Sequence, residues 1–224
     1  MSDTLILAVD TSTRASIVVL GGAEPLAVSR RDVQHRHGSH VLEQIDEVLA
    51  QAGRSIEAVG ALAVGTGPGS FTGLRVGLAT LKTMAYARGL PLVGVVSSDA
   101  LRLAGTRAGA AADAAVVLPA GARDHYLARA GVDPVLIAPG ELAKMLAGGP
   151  VLAVDMDAEL LGEEAARLGA AAVEAMPVAL LELAARRLGT GEADDIADLT
   201  PAYVALPRGV KRATEDLGWL PDLR

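Results

Sequence analysis

The chain has 224 residues, of which 51% are hydrophobic and 2% aromatic, with a formal net charge of −7 and no cysteine. That length and apolar content support a sizeable core of small aliphatic side chains and exclude a chain dominated by disorder. The missing cysteines exclude disulfides, thiolate catalysis and Cys-ligated metals, and the acidic balance argues against gripping nucleic acid phosphates unaided.

In chain order, residues 5–9 are a buried run, residues 10–14 (DTSTR) are turn formers and residues 16–20 are β-branched again, which predicts strand, tight turn and strand. EPLAVSRRD adds a further strand. Residues 40–52, HVLEQIDEVLAQA, predict a helix with Val41, Leu42, Ile45, Val48, Leu49 and Ala52 on one face. His40, Glu43, Gln44, Glu47 and Gln51 take the other face, and Gly53 ends the helix. A short buried strand over 61–65 feeds a glycine-rich loop, a helix follows over 72–88, and LPLVGVVSS returns as a strand. Helices between buried strands predict an α/β fold. In the second half AAVVLP, AGARD and HYLARAG read as strand, turn and strand. Helices are expected at PGELAKMLAG, DAELLGEEAARLG and PVALLELAARRLG, with a strand over 150–155 between them. Each half opens on a hairpin, which suggests a loose duplication with a boundary near 98–108.

The loop GTGPGSFTGLRVGLATLKTMA places Gly65, Gly67, Gly69, Gly73 and Gly77 on a strand-to-helix junction. Such a junction favours an anion, because unpaired N–H groups and the helix dipole point at it. Yet no Gly-Lys-Ser/Thr follows, and Ser70 stands where a dinucleotide loop needs its third glycine. On the helix, Leu74, Leu78, Leu81 and Ala85 form one stripe, and Gly73, Val76, Gly77, Thr80, Met84 and Ala87 a second stripe of smaller residues. A helix apolar over so much of its circumference needs cover on two sides. Periodicity alone favours an intramolecular second cover, by the helix at 40–52; the alternative is a partner protein.

LILAVDTSTRASIVVL, HGSHVLEQIDEVL, GTGPGSFTGLRVGLATLKTMA and the late PAYV resemble, in this order, the TsaB (YeaZ) family of bacterial tRNA threonylcarbamoyladenosine biosynthesis proteins. The resemblance is strong over residues 4 to about 100. It implies an actin-like, Hsp70-like (ASKHA) two-lobed α/β fold with a reduced second lobe: residues 1–100 form the first lobe with the docking helices, and residues 101–224 the smaller second lobe and tail. It further implies a non-catalytic paralogue of TsaD that stabilises this transferase and recruits TsaE, with tRNA reached only through the complex and a homodimer in isolation. The docking face implied is Val41, Leu42, Ile45 and Leu49 of the first helix with Gly73, Val76, Gly77, Thr80 and Met84 of the second, the glycines permitting close helix approach.

A nucleotide site in such a fold needs phosphate-binding hairpins in both lobes. Asp10, Thr11, Ser12, Gly67, Gly69, Ser70 and Thr72 are the candidate nucleotide or anion residues, and the plain account of Asp10 is a turn residue bonding nearby backbone. The second hairpin, LPAGARDHY, departs from the family pattern at Pro119 and Gly121. The alternative function is a small actin-like kinase or ATPase using Asp10 and the loop from Gly65 to Thr72; a free-standing acyl or carbamoyl transferase is a weaker third. His35, His37 and His40 are spaced by two, three and five rather than the four that puts both imidazoles on one helix face, so no metal site is expected. There is no HExxH, GxSxG or cysteine, so proteolysis has no nucleophile or zinc to use; the resemblance implies no catalytic residue and no cofactor. The first residues show no basic segment followed by a long apolar run, and no stretch reaches the about 20 uninterrupted apolar residues of a membrane span. The expectation is a cytoplasmic protein without a membrane partner.

Overall fold

The structure is a computed structural model and describes residues 4–22, 24–32, 40–138, 140–202 and 204. Five strands form the first sheet in the order β3-β2-β1-β4-β5. They are β1 (Ile6–Asp10), β2 (Ala15–Gly21), β3 (Pro25–Asp32), β4 (Ala61–Gly65) and β5 (Leu92–Val95). The first three pair antiparallel through short turns, while β1, β4 and β5 are parallel and need crossovers, which α1 (Val41–Gln51) and α2 (Phe71–Arg88) supply. The central strands are buried on both faces, as their unbroken apolar runs require.

The two-residue period sorts their side chains. Leu7, Val9, Val18, Leu20, Leu62 and Val64 meet α1 and α2 on one side. Ile6, Ala8, Ile17, Val19, Ala61 and Ala63 face the other side, where α3 (Ser97–Arg107) and α6 (Glu163–Gly189) lie. The second sheet has the order β8-β7-β6-β9, from β6 (Ala115–Ala120), β7 (Asp124–Arg129), β8 (Val132–Ile137) and β9 (Val151–Ala153). Val116, Leu118 and Leu152 of this sheet join the same core as α3, α6 and the first sheet. Its opposite face packs Val117, Leu127 and Ile137 against the short α4 (Leu142–Leu146).

Three elements differ from the sequence reading. Residues 97–107, placed at a strand end and boundary, form α3, whose Ala100, Leu101 and Ala104 bury one face. β8 was not predicted because Asp133 and Pro134 interrupt its apolar run; it is an edge strand, where proline is tolerated. The two helices expected over DAELLGEEAARLG and PVALLELAARRLG become a short α5 (Ala158–Leu161) and one 27-residue α6 that runs through Pro177. By length and composition α6 is also long and apolar enough to cross a membrane. Here Ala172, Met176, Leu180 and Ala184 fill the core between helices and sheets.

After α6 the chain returns to the first sheet and runs along β5. The Asp194 N–H donates to Leu92 O at 2.9 Å, and Asp194 Oδ2 accepts from Gly94 N–H at 2.6 Å. Arg187 grips both Asp194 oxygens at 2.8 and 2.9 Å, Lys82 Nζ donates to Ala197 O and Leu199 O, and Ala202 N–H donates to Thr66 O at 2.8 Å. Only part of the C-terminal tail falls among the described residues, and Tyr203 of the PAY motif lies outside them.

Candidate functional site

β1 ends on Asp10 with no solvent exposure. The tight turn that follows folds Ser12 back, so that Asp10 Oδ1 accepts from both Ser12 N–H (2.8 Å) and Ser12 Oγ (2.6 Å). Asp10 Oδ2 accepts from Ser97 Oγ at 2.6 Å, and Ser97 Oγ accepts in turn from Gly67 N–H at 2.9 Å. Burial raises the Asp10 carboxyl above its ordinary value of 3.8, with the hydrogen bonds from Ser12 and Ser97 opposing the shift. Ser97 was missed in the sequence because it belongs to α3, 87 positions from its partner.

The glycine loop closes over this cluster. A Cβ at Gly65 would collide with Asp10 Oδ2, one at Gly69 with Ser12 O and one at Gly73 with Thr11 O. Ser70 N–H donates to Ser12 O at 2.7 Å, Ser70 Oγ caps α2 by accepting from Gly73 N–H, and Thr11 Oγ1 donates to Gly73 O at 2.7 Å. The amides of Gly67, Ser70 and Gly73 are thus spent inside the protein. Asp10 and Gly67 face inward, their polar groups hydrogen-bonded to Ser12 and Ser97. Gly73 and Gly77 are buried against the β1–β2 turn, where a Cβ at Gly77 would stand 2.6 Å from Thr11 Oγ1. The close approach they permit is that of α2 to its own hairpin.

Between this assembly and the β6–β7 hairpin lies a cleft of about 670 Å³, bounded by Ser12, Thr13, Ser70, Thr72 and Phe71 on one side and Leu118, Pro119, Gly121 and Tyr126 on the other. Arg14 and Asp155 stand at its end, and Asp155 Oδ2 accepts from Arg14 N–H at 2.6 Å, tying the first hairpin to the segment after β9. Burial raises the Asp155 carboxyl, with that backbone hydrogen bond and the Arg14 charge opposing. Asp155 is the one carboxylate among the described residues that line the cleft. Of the expected nucleotide residues, Ser12, Gly69, Ser70 and Thr72 reach this cleft; Asp10, Thr11 and Gly67 do not.

The expected docking residues divide in the same way. Val41, Ile45 and Leu49 are 1%, 3% and 7% exposed and belong to the chain's own core, whereas Leu42 is 61% exposed. The cause is rotation of the helix: Gln44, read as outward, is fully buried and donates to Ser16 O and Ser29 O, which turns Leu42 away from the sheet. On α2, Val76, Thr80 and Met84 form a half-buried line, with Ala79, Thr83 and Tyr86 exposed beside it. Tyr86 is 84% exposed. His40 sits at the start of α1 with Nδ1 3.4 Å from Glu43 Oε2, while His35 and His37 lie outside the described residues. Among the described residues no group of three or more His, Cys, Asp or Glu could hold a metal ion.

Residues 6–178 match the family model described as TsaD, tRNA N6-adenosine threonylcarbamoyltransferase. The chain is 38% identical over 102 residues to the tRNA threonylcarbamoyladenosine biosynthesis protein TsaB of Haemophilus influenzae, covering 45% of this chain and 43% of that protein. It is 36% identical over 90 residues to the TsaB of Escherichia coli, covering 40% and 39%. The matched segments therefore span about two-fifths of these relatives' length. Among solved structures, YeaZ from Pseudomonas aeruginosa superposes with a TM-score of 0.64 at 25% identity, over 89% of this chain and 99% of that one. The resemblance to the TsaB and YeaZ proteins is borne out, and the two-sheet α/β architecture is the actin-like (ASKHA) fold.

Proposed function

We propose, for a chain that belongs to the TsaD family of tRNA N6-adenosine threonylcarbamoyltransferases, the role of a non-catalytic subunit in forming N6-threonylcarbamoyladenosine on tRNA. It binds and stabilises a catalytic TsaD, recruits TsaE and reaches tRNA only through that assembly. The observation that carries this reading is the closure of the Asp10 cluster. A carboxylate with no exposure, its oxygens taken by Ser12 and Ser97, is not placed to organise a metal-bound phosphate, and the amides of Gly67, Ser70 and Gly73 are already engaged. The opposite hairpin brings Pro119 and Gly121 to the cleft and no second acid. The names and shared segments of the TsaB relatives support the pathway.

In this reading the surface offered to TsaD is Leu42 with the outer line Val76, Thr80 and Met84, extended by Tyr86. A second copy of the chain takes the same surface when TsaD is missing. The test is threonylcarbamoyl transfer to tRNA by purified TsaD and TsaE, with and without this chain, alongside ATP hydrolysis by the chain alone. Transfer that requires the chain, with no hydrolysis of its own, is expected; transfer without it, or hydrolysis lost in Asp10→Ala, overturns the reading in favour of an actin-like ATPase. Thr80→Arg sets a long charged side chain in the proposed face and is expected to abolish co-elution with TsaD while the melting temperature stays unchanged. Retained complex formation by that variant would remove α2 from the interface.

A further inference from the structure

The outer N–H and C=O groups of an edge strand have no ladder partner, and such an edge accepts another chain unless it is covered, broken or short. The edges of the two sheets differ in this respect. β5 carries the segment after α6, whose Asp194 N–H donates to Leu92 O. β8 is broken by Pro134, and β9 has three residues. β3 has eight, and among the described residues no strand lies beyond it.

Pro25 and the charged run of Arg30, Arg31 and Asp32 guard the two ends of β3, but residues 26–29 between them carry neither proline nor charge. Alternate residues take opposite faces. Ala27 packs into the core with α1, and Ser29 Oγ donates to Glu47 of the same helix. On the other face Val28 pairs with Val19 and Arg30 with Ile17, both in the core that α6 shares. Arg30 is ion-paired to Glu174 of α6, while Leu26 and Val28 remain 55% and 39% exposed. Two large apolar side chains thus stand two residues apart on one face of an uncovered edge.

We propose that β3 pairs antiparallel with β3 of a second copy of this chain about a two-fold axis at Ala27. Opposite residues in such a pair share a face, and a two-fold makes every contact occur twice. Through Ala27, Leu26 stands opposite Val28 of the second copy, and Glu24, exposed just before the strand, comes level with its Arg30. Other axes match less. An axis at Leu26 sets Val28 against Glu24, and axes at Val28 and Ser29 set Leu26 and Val28 in turn against Arg30. An axis at Arg30 opposes two guanidinium groups. Ala27 alone sets apolar against apolar and acid against base, which is the complementarity that selects the second copy as occupant. β3 lies at the far end of the sheet from β4 and β5, which α2 connects, so this pairing leaves the α2 face open and neither proposal rests on the other.

The experiment is sedimentation equilibrium of the full chain carrying Thr80→Arg, which removes pairing through α2, together with hydrogen exchange at several protein concentrations. A reversible monomer–dimer equilibrium is expected, with exchange in residues 25–32 slowing as concentration rises. Val28→Lys and Glu24→Arg alter exposed side chains, so melting temperature stays unchanged while each weakens the dimer by about tenfold or more, every substitution counting twice. Glu24→Arg combined with Arg30→Glu, and with Glu174→Gln to remove the old partner of Arg30, is expected to recover it. A Thr80→Arg chain that stays monomeric, a dimer indifferent to Val28→Lys and Glu24→Arg, exchange in β3 independent of concentration, or no recovery in the charge swap would overturn the proposal.

Discussion

At the residue scale, the cluster around Asp10 is held by hydrogen bonds that leave no room for a side chain at Gly65. Gly65→Ala drives a methyl group into Asp10 Oδ2. Overpacking of a tight core costs about 1–3 kcal/mol, which in a chain of this size lowers Tm by about 3–10 °C; differential scanning calorimetry will read it. Asp10 also makes stability depend on pH with a definite sign. Its folded pKa is raised above 3.8 by burial, so the folded state holds the proton more tightly than the unfolded chain does. The Asp10 contribution is therefore fully favourable below the ordinary value and is lost as pH rises through the raised one. Asp155 shifts in the same direction and adds the same sign. Melting temperature is expected to fall as pH rises through that window, and Asp10→Asn, which cannot ionise, is expected to flatten part of the fall. An unchanged slope in the variant would mean that Asp10 is not the group responsible.

At the element scale, the segment after α6 lies as a strap along β5, fastened by Asp194, by Lys82 at Ala197 O and Leu199 O, and by the Ala202 N–H at Thr66 O. Burial would raise that carboxyl, but the hydrogen bonds from Arg187 and from Gly94 N–H outweigh it and hold the pKa below 3.8. A lowered folded pKa gives stability that is present above the ordinary value and lost as pH falls through the lower one. Asp194→Ala removes the acceptor and leaves Gly94 N–H and part of Arg187 unmatched, at a cost of about 1–3 kcal/mol. Hydrogen exchange at Gly94 and Ala202 is expected to accelerate in the variant, because these amides bond within or beside the strap. Unchanged exchange at both would show that Ile196 and Leu199, packed on the first core, hold the strap without Asp194.

Across the whole molecule, the two sheets share one core through α3 and α6. Val116, Leu118 and Leu152 of the second sheet belong to the same cluster as Ile17, Val19 and Ala63 of the first. We propose that residues 1–100 and 101–224 are lobes in topology but not separate folding units. Thermal unfolding is expected to be a single transition by circular dichroism and calorimetry alike. A fragment ending at residue 110 is expected to be insoluble, since it strips Ile6, Ala8 and Val19 of the Met176 and Leu180 packing supplied by α6. Two resolved transitions, or a folded fragment, would contradict this account.

Much of the first sheet was legible in the sequence because its signals are local. The run at 61–65 bounded by glycine is a strand with those limits, and the stretch over 72–88 is a helix to within one residue at its start. The motif GPGSFTGLRVG carried the family resemblance in the same segment. What the sequence could not determine was the direction in which equivalent positions face. Leu42 and Ile45 fit one apolar stripe equally well, and only the hydrogen bonds of Gln44 to Ser16 and Ser29 rotate α1 so that one is exposed and the other buried. Gly73 and Gly77 signalled a close approach, but that the approaching group is Thr11 depends on a hairpin 62 positions away. Pro177 carries a local signal for a helix start, yet α6 runs through it because the core of both sheets packs on either side. Local chemistry thus determined which residues form strands, helices and tight turns; tertiary packing alone decided which polar groups are satisfied inside and which apolar side chains are left exposed, because those depend on groups distant in the chain.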